Sequence, residues 1–475
     1  MNDYIMVSDF FILMKHELMI TVIIFILLFI KIGANERSND AILNLINILL
    51  LLNVALGFVF NEDGSLFSGM FKTNTLIVLE KIILNFGTLL ISMIAYPWLK
   101  NHKHVLEFYI LLLSTLLGMF FMISAGNLLM FYLGLELSTI PLAAIANFDL
   151  GKRQSSEAAM KLIIYSAFSS GLLLFGISLL YGTTGTLDFA AITQKLDGSS
   201  LQLFSFILLL GGFGFKISIV PFHLWTADVY EGAPAAVTAY LSVISKAAFV
   251  FVFISVLYTV FKPLSGSWYN MLFVLSILTM LVGNLFAIRQ NNLKRFLAFS
   301  SIAQVGFILV GISGSSQIAT TSVIYFLLIY IFSNLGAFAV IVLVSAVTGK
   351  ENMSDFKAFY TNNKLLSWVL TISLFSLAGI PPTAGFFGKF FLLMAGAGKG
   401  NYLLVGIAAG NIVMSFYYYL KVVKVIFMDA NEQPMEKIAI PAISRTAMLI
   451  CVSGTILIGF ISWIYDHIYS LSFGF

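Results

Sequence analysis

The sequence predicts an all-α integral membrane protein of about fourteen transmembrane helices, with two inverted five-helix repeats and broken helices 7 and 12. Three observations lead there. Of 475 residues, 60% are hydrophobic and only 10% charged, where a soluble domain carries about 25% charged residues. Apolar runs long enough to cross the ~30 Å hydrocarbon layer recur along the whole chain. Prolines and lysines fall inside several of these runs, where lipid offers no partner for a freed carbonyl or an ammonium ion.

Taken in order, the runs 12–33, 41–60 and 74–96 make an N-terminal group within residues 1–104. Within the first run, Lys15 precedes the apolar stretch from about Leu18 to Ile32, as it would in a signal peptide. No clean small-x-small cleavage site follows, so it reads as an uncleaved span. The runs 105–124, 126–147, 157–181, 201–219 (continuing irregularly to 232) and 235–260 form a first repeat over 105–260. The runs 268–288, 296–313, 318–347, 366–396 and 401–428 form a second over 268–428, and 442–465 closes the chain as helix 14. The pairing of repeats rests on local likeness. Leu162-Ile163-Ile164-Tyr165 leads into Phe168-Ser169-Ser170-Gly171 in the sixth run, and Leu327-Leu328-Ile329-Tyr330 into Phe332-Ser333-Asn334-Leu335-Gly336 in the eleventh. A five-span unit is odd-numbered, so its second copy enters from the opposite side. The longest polar connection, Gly349 to Lys364, is too short to hide a soluble domain.

Charge gives orientation and excludes several classes. Loops after odd-numbered runs hold sixteen of the 26 Lys and Arg residues, from Lys31 and Arg37 to Lys437 and Arg445; the other side holds Lys15, Lys72, Lys195, Lys262 and Lys399. The positive-inside rule then puts the richer loops in the cytoplasm and both termini outside. A net charge of +4 makes no case for nucleic acid, and the lone Cys451 rules out a disulfide framework or a cysteine-held metal or iron–sulfur site. Five scattered histidines do not suggest a metal cage.

The remaining five cations, Lys81, Lys161, Lys216, Lys246 and Lys389, all fall within predicted spans. An embedded lysine costs about 2.5–3.5 kcal/mol on insertion scales and marks a protein interior or a water file. All five are lysine, which can release a proton; arginine stays charged. Lys81, beside Glu80 near a span end, can instead snorkel or pair, and Lys161, early in its span, can also snorkel. Of nine prolines, Pro141, Pro221, Pro234, Pro381 and Pro382 interrupt spans, and proline removes a backbone donor. Glu136 precedes Pro141 by five residues, Lys216 precedes Pro221 by five, and Lys389 follows Pro382 by seven. Transporters place ion sites beside such breaks. His223, near the same break as Lys216, is the side chain that titrates nearest neutral pH, or else a residue that ties down the break. Asp228 and Glu231 read as surface or structural acids.

These residues carry a resemblance. Gly134-Leu135-Glu136-Leu137, Phe215-Lys216 through Pro221-Phe222-His223-Leu224-Trp225, Glu231-Gly232-Ala233-Pro234, Ser245-Lys246-Ala247 and Gly379-Ile380-Pro381-Pro382 through Lys389 resemble the antiporter-like membrane subunits of respiratory complex I, the NADH–quinone oxidoreductase. Mrp-type cation/proton antiporter subunits share the pattern. The resemblance covers nearly the whole chain and is closest to the N-type branch. It implies a proton relay of Glu136, Lys216, Lys246 and Lys389, with Lys161 and His223 as accessory members and Pro141, Pro221, Pro381 and Pro382 at helix breaks. It implies a non-redox, proton-pumping subunit of a translocase, in a bacterial plasma membrane. No cofactor or metal is expected on this chain; flavin, iron–sulfur clusters and quinone are expected in partner subunits. The expected partners are M-like and K-like membrane neighbours and, through them, the peripheral redox arm. After His223 the chain reads Leu224-Trp225-Thr226-Ala227-Asp228, where several relatives carry a second histidine a few residues on, so that relay member is missing here.

Overall fold

The structure, a computed structural model, describes residues 7–33, 38–59, 61–314, 316–398 and 400–473. Arg37 and Lys399, both used in the loop-charge comparison, lie outside these residues. Among the described residues, twelve helices are long and apolar enough to cross a bilayer, the first being Asn39–Leu56 and the last Ala442–Phe460. Two of the predicted runs fall short of that. The Lys15–Ile32 helix holds Lys15, Glu17 and Lys31 within 18 residues. The run 366–396 is split into Lys364–Ala378 and Ala384–Ala397, of 15 and 14 residues.

The splits follow local chemistry. Gly379 takes φ +88°, and Pro381 and Pro382 follow it in the gap, so the backbone bonds of an uninterrupted helix cannot form there. The Ser200–Ile217 helix likewise stops before Ser218, at φ +67°; Pro221 lies in the gap, and helix resumes at Leu224–Gly232. Pro141 behaves otherwise. The Leu128–Ala146 helix runs unbroken through it, so the expected break is corrected to a proline inside a continuous helix. Proline's fixed φ suits a helix and its ring withdraws a single donor, which a well-supported helix can absorb. The support is close packing. A Cβ on Gly118 would meet the backbone around Ser138, and one on Gly134 the backbone of Met122, so the Val105–Ile123 and Leu128–Ala146 helices lie backbone to backbone. In lipid, such small-residue contacts hold helices together because burying apolar surface gives no advantage.

Two features were not anticipated. The run 235–260 contains a π-helical turn at Leu241–Ser245, immediately before Lys246. A two-stranded antiparallel hairpin, Gly64–Leu66 with Phe71–Thr73, joins the Asn39–Leu56 and Thr75–Leu99 helices.

The chain divides into two compact units. One comprises Met1–Ser92, Lys100–Lys216 and Ser245–Ser265; the other comprises Met93–Leu99, Ile217–Ile244 and Gly266–Phe475. In the first, the Lys15–Ile32 helix packs on Val105–Ile123, which pairs with Leu128–Ala146. In the second, the 33-residue Ser316–Thr348 helix is the buried centre, packed against Lys364–Ala378, Ala384–Ala397 and Ala442–Leu457.

Candidate functional site

Lys216 sits in the last turn of the Ser200–Ile217 helix, just before the backbone leaves helical geometry. Its side chain is buried, and its amine donates to the hydroxyls of Thr139 at 2.9 Å and Ser166 at 2.5 Å. The rings of Phe215 and Phe249 flank it at 5.9 and 5.7 Å. Thr139 lies three residues after Glu136 on the Leu128–Ala146 helix, so helical spacing sets the carboxylate on the face that carries this hydroxyl. Glu136 acts on the amine electrostatically, while the amine's hydrogen bonds go to the two hydroxyls. One Glu136 carboxylate oxygen is shielded from solvent without a hydrogen-bond partner, and the Tyr132 hydroxyl lies beside this carboxyl group. An ammonium held by neutral oxygens near a carboxylate is an arrangement in which a proton can be held or passed without breaking a direct ion pair.

Lys246 begins a helix directly after the π turn and is buried. Single π turns inside α-helices occur often at functional sites because they offset the side chain from the regular helical face. Lys161 is different. Its amine pairs with Glu157 at 2.8 Å, one turn earlier, and the two side chains are 33% and 59% exposed. The structure therefore places it on an exposed helix face with a local partner.

In the second unit, Lys389 is buried in the second half of the broken span, and its amine donates to the Ala378 carbonyl at 2.9 Å. Ala378 is the last residue of the first half-helix. A cation there meets the negative end of the helix dipole and a carbonyl with no intrahelical donor. Gly379 makes the approach possible, since a Cβ there would sit 3.0 Å from Lys389 Cδ. The Phe307 ring lies 4.9 Å from the amine. His223, buried at the start of the Leu224–Gly232 helix, keeps its Nδ1 without a hydrogen-bond partner. Asp228 and Glu231 both bind Arg295 at 2.8 Å, on half-buried side chains, and so fasten that half-helix to the Leu293–Ile312 helix.

A family model described as NADH:quinone oxidoreductase/Mrp antiporter, TM, matches residues 125–415. The chain belongs to this family. Among the antiporter-like relatives, NADH-quinone oxidoreductase subunit N of Azobacteroides pseudotrichonymphae is 48% identical over 420 residues, covering 87% of this chain and 88% of that protein. The subunit N of Phocaeicola vulgatus is 44% identical, covering 95% of this chain and 97% of its own length. A chain of respiratory complex I from Thermus thermophilus with bound aureothin superposes with a TM-score of 0.78 at 26% identity, covering 95% of this chain and 97% of that one.

Against this antiporter-family background, several residues escaped the sequence reading. Thr139 and Ser166, the two acceptors of Lys216, are ordinary hydroxyls in apolar runs. Their spacing from Glu136 and Lys161 was the only signal. Lys294, counted as a loop cation, is buried and binds Glu351 at 3.0 Å and the Ala233 carbonyl at 3.0 Å. Glu17 was overlooked as an embedded acid. It pairs with Lys81 at 2.6 Å, and both side chains are 1% exposed, so Lys81 neither snorkels nor takes Glu80 as its ion-pair partner.

Proposed function

We propose that this chain is an N-type, proton-translocating membrane-arm subunit of an NADH–quinone oxidoreductase in a bacterial plasma membrane, with both termini on the outer side. Protons are held and passed by Glu136, Lys216, Lys246 and Lys389, with His223 as an accessory group. The observation that carries this reading is the setting of Lys216: a buried amine on two neutral hydroxyls, with the Glu136 carboxylate acting on it from the same helix face as one of them. When the carboxylate comes nearer, the charged amine is favoured. When it withdraws, the proton is released toward the next base, and like charges on neighbouring amines couple their titrations.

Moving one charge against the membrane potential takes about 2.3 kcal/mol per 100 mV, and nothing recognisable in this chain supplies it. The chain is then a non-redox part of the translocase, driven by neighbouring membrane subunits and a peripheral arm that would hold flavin, iron–sulfur clusters and quinone. Lys216→Ala in the whole complex tests this. NADH oxidation and assembly should persist while coupled proton pumping drops sharply. Unchanged pumping would remove Lys216 from the path. The family also includes Mrp antiporters, but the identity to subunit N over nearly the full chain favours the oxidoreductase. Purification of the chain with flavin and iron–sulfur subunits decides between the two.

A further inference from the structure

The N-terminal helices hold a second row of buried polar groups, on helices other than those that carry Glu136 and Lys216. On the Thr75–Leu99 helix, Lys81, Asn85, Thr88 and Ser92 are all buried. Their spacing of four, three and four residues puts them on one face, over about 16 Å of helix at 1.5 Å per residue. That is about half of the ~30 Å hydrocarbon layer.

Three of these four levels meet polar groups from neighbouring helices, while Thr88 donates back to the Leu84 carbonyl of its own helix at 2.8 Å. Lys81 pairs with Glu17 of the Lys15–Ile32 helix, under the Phe71 ring of the hairpin at 5.0 Å. Asn85 donates to the Leu50 carbonyl of the Asn39–Leu56 helix at 3.1 Å. Ser92 bonds Asn47 of that helix at 2.6 Å and Tyr109 of Val105–Ile123 at 2.7 Å. His16 and Asn53, both buried, bond each other at 3.0 Å. Glu80 is buried beside Lys81, and at the exposed end Lys15 donates to the Val59 carbonyl and to Asn61, both at 2.6 Å.

The row is not closed on itself. His16 Nε2, Asn53 Nδ2 and Asn85 Oδ1 are buried with no hydrogen-bond partner among the described residues. An ion pair serving only as a fastener would pack dry. Leaving polar atoms open costs about 1–3 kcal/mol each, and buried water is the usual remedy where several such atoms line one seam. Intramembrane ionisable groups face protein interiors or water-filled cavities, and proton relays are built from them. We infer that the first three helices enclose a hydrated polar file through which protons reach the Glu17–Lys81 pair. This inference does not depend on the role of Lys216.

The test uses the whole complex in membranes. Cys451 is the chain's only cysteine and is buried, so single cysteines can be introduced on a Cys451→Ser background. Asn85→Cys and Leu84→Cys lie side by side on one helix, both at fully buried positions. With the water-soluble reagent 2-aminoethyl methanethiosulfonate, Asn85→Cys should be modified about tenfold faster, because thiol reactivity requires a hydrated thiolate. Asn85→Leu, which plugs the file and leaves Glu17–Lys81 intact, should lower the protons pumped per NADH while electron transfer continues. Equal labelling of the two cysteines, or Asn85→Leu pumping at the wild-type ratio, overturns the inference. If Asn85→Leu does not assemble, the labelling pair alone decides.

Discussion

Gly379→Ala isolates the placement of the Lys389 amine from its chemistry. At φ +88° an alanine is strained by roughly 1–2 kcal/mol. Its Cβ would also stand 3.0 Å from Lys389 Cδ, closer than the ~3.5–4.0 Å of comfortable carbon contact. The lysine Cδ must give way by a few tenths of an ångström, which strains the amine's 2.9 Å bond to the Ala378 carbonyl. Hydrogen bonds to charged groups contribute about 1.5–3 kcal/mol. At about 1.4 kcal/mol per factor of ten, loss of the whole bond would lower the population with the amine in place roughly 10- to 100-fold, which is the upper bound of the effect. Gly185→Ala is the matched control: Gly185 also has positive φ, at +67°, but a Cβ there meets nothing within 4 Å. It carries the strain without touching an amine. The assay is NADH-driven proton uptake by the complex in proteoliposomes, normalised to NADH oxidised, with thermal unfolding recorded for both variants. The expected result is similar loss of stability but a selective loss of pumping in Gly379→Ala. Equal pumping losses in the two variants, or normal pumping in Gly379→Ala, would refute the reasoning.

Three further outcomes follow from the same geometry. Thr139→Val and Ser166→Ala each leave Lys216 one hydroxyl, so each alone should reduce pumping modestly, whereas the double variant should lose more than the two losses combined; additive losses would mean the acceptors act independently. Lys161→Met should change thermal stability by no more than ~0.5 kcal/mol and leave pumping near normal, since its pair with Glu157 is partly exposed to solvent; a large drop in pumping would support an accessory role. Pro141→Ala should keep or raise thermal stability, because the helix is already continuous there and regains a donor; a clear fall would show that the proline itself is required.

What could be read from the sequence was whatever a single run of residues determines. Membrane spans follow from length and apolarity, and the gap at Pro381 and Pro382 follows from two consecutive residues that cannot donate. The failures arise where a partner elsewhere in the chain decides. Pro141 looked like Pro221 in isolation, but only the former lies on a helix clamped through Gly118 and Gly134 against a second backbone. The first run was legible as a helix, yet its acid was invisible as an embedded charge because Lys81, the residue that makes Glu17 tolerable, comes 64 positions later. Lys161, which the sequence left either to snorkel or to join the relay, falls in an apolar run whose 32-residue helix leaves its side chain partly exposed, with Glu157 one turn away. The three buried lysines assigned to the relay share one property that spacing alone only hinted at. Lys216 and Lys389 stand beside interruptions in regular backbone, and Lys246 follows a π turn. At two of the three, neutral oxygens take the amine's hydrogen bonds, hydroxyls for Lys216 and a helix-end carbonyl for Lys389. Such acceptors can solvate an ammonium without fixing it in that state as a direct carboxylate would. The Glu17–Lys81 pair is the contrast within the same chain: its amine meets a carboxylate directly, so any proton that reaches it is shared between two coupled groups and not held on one amine.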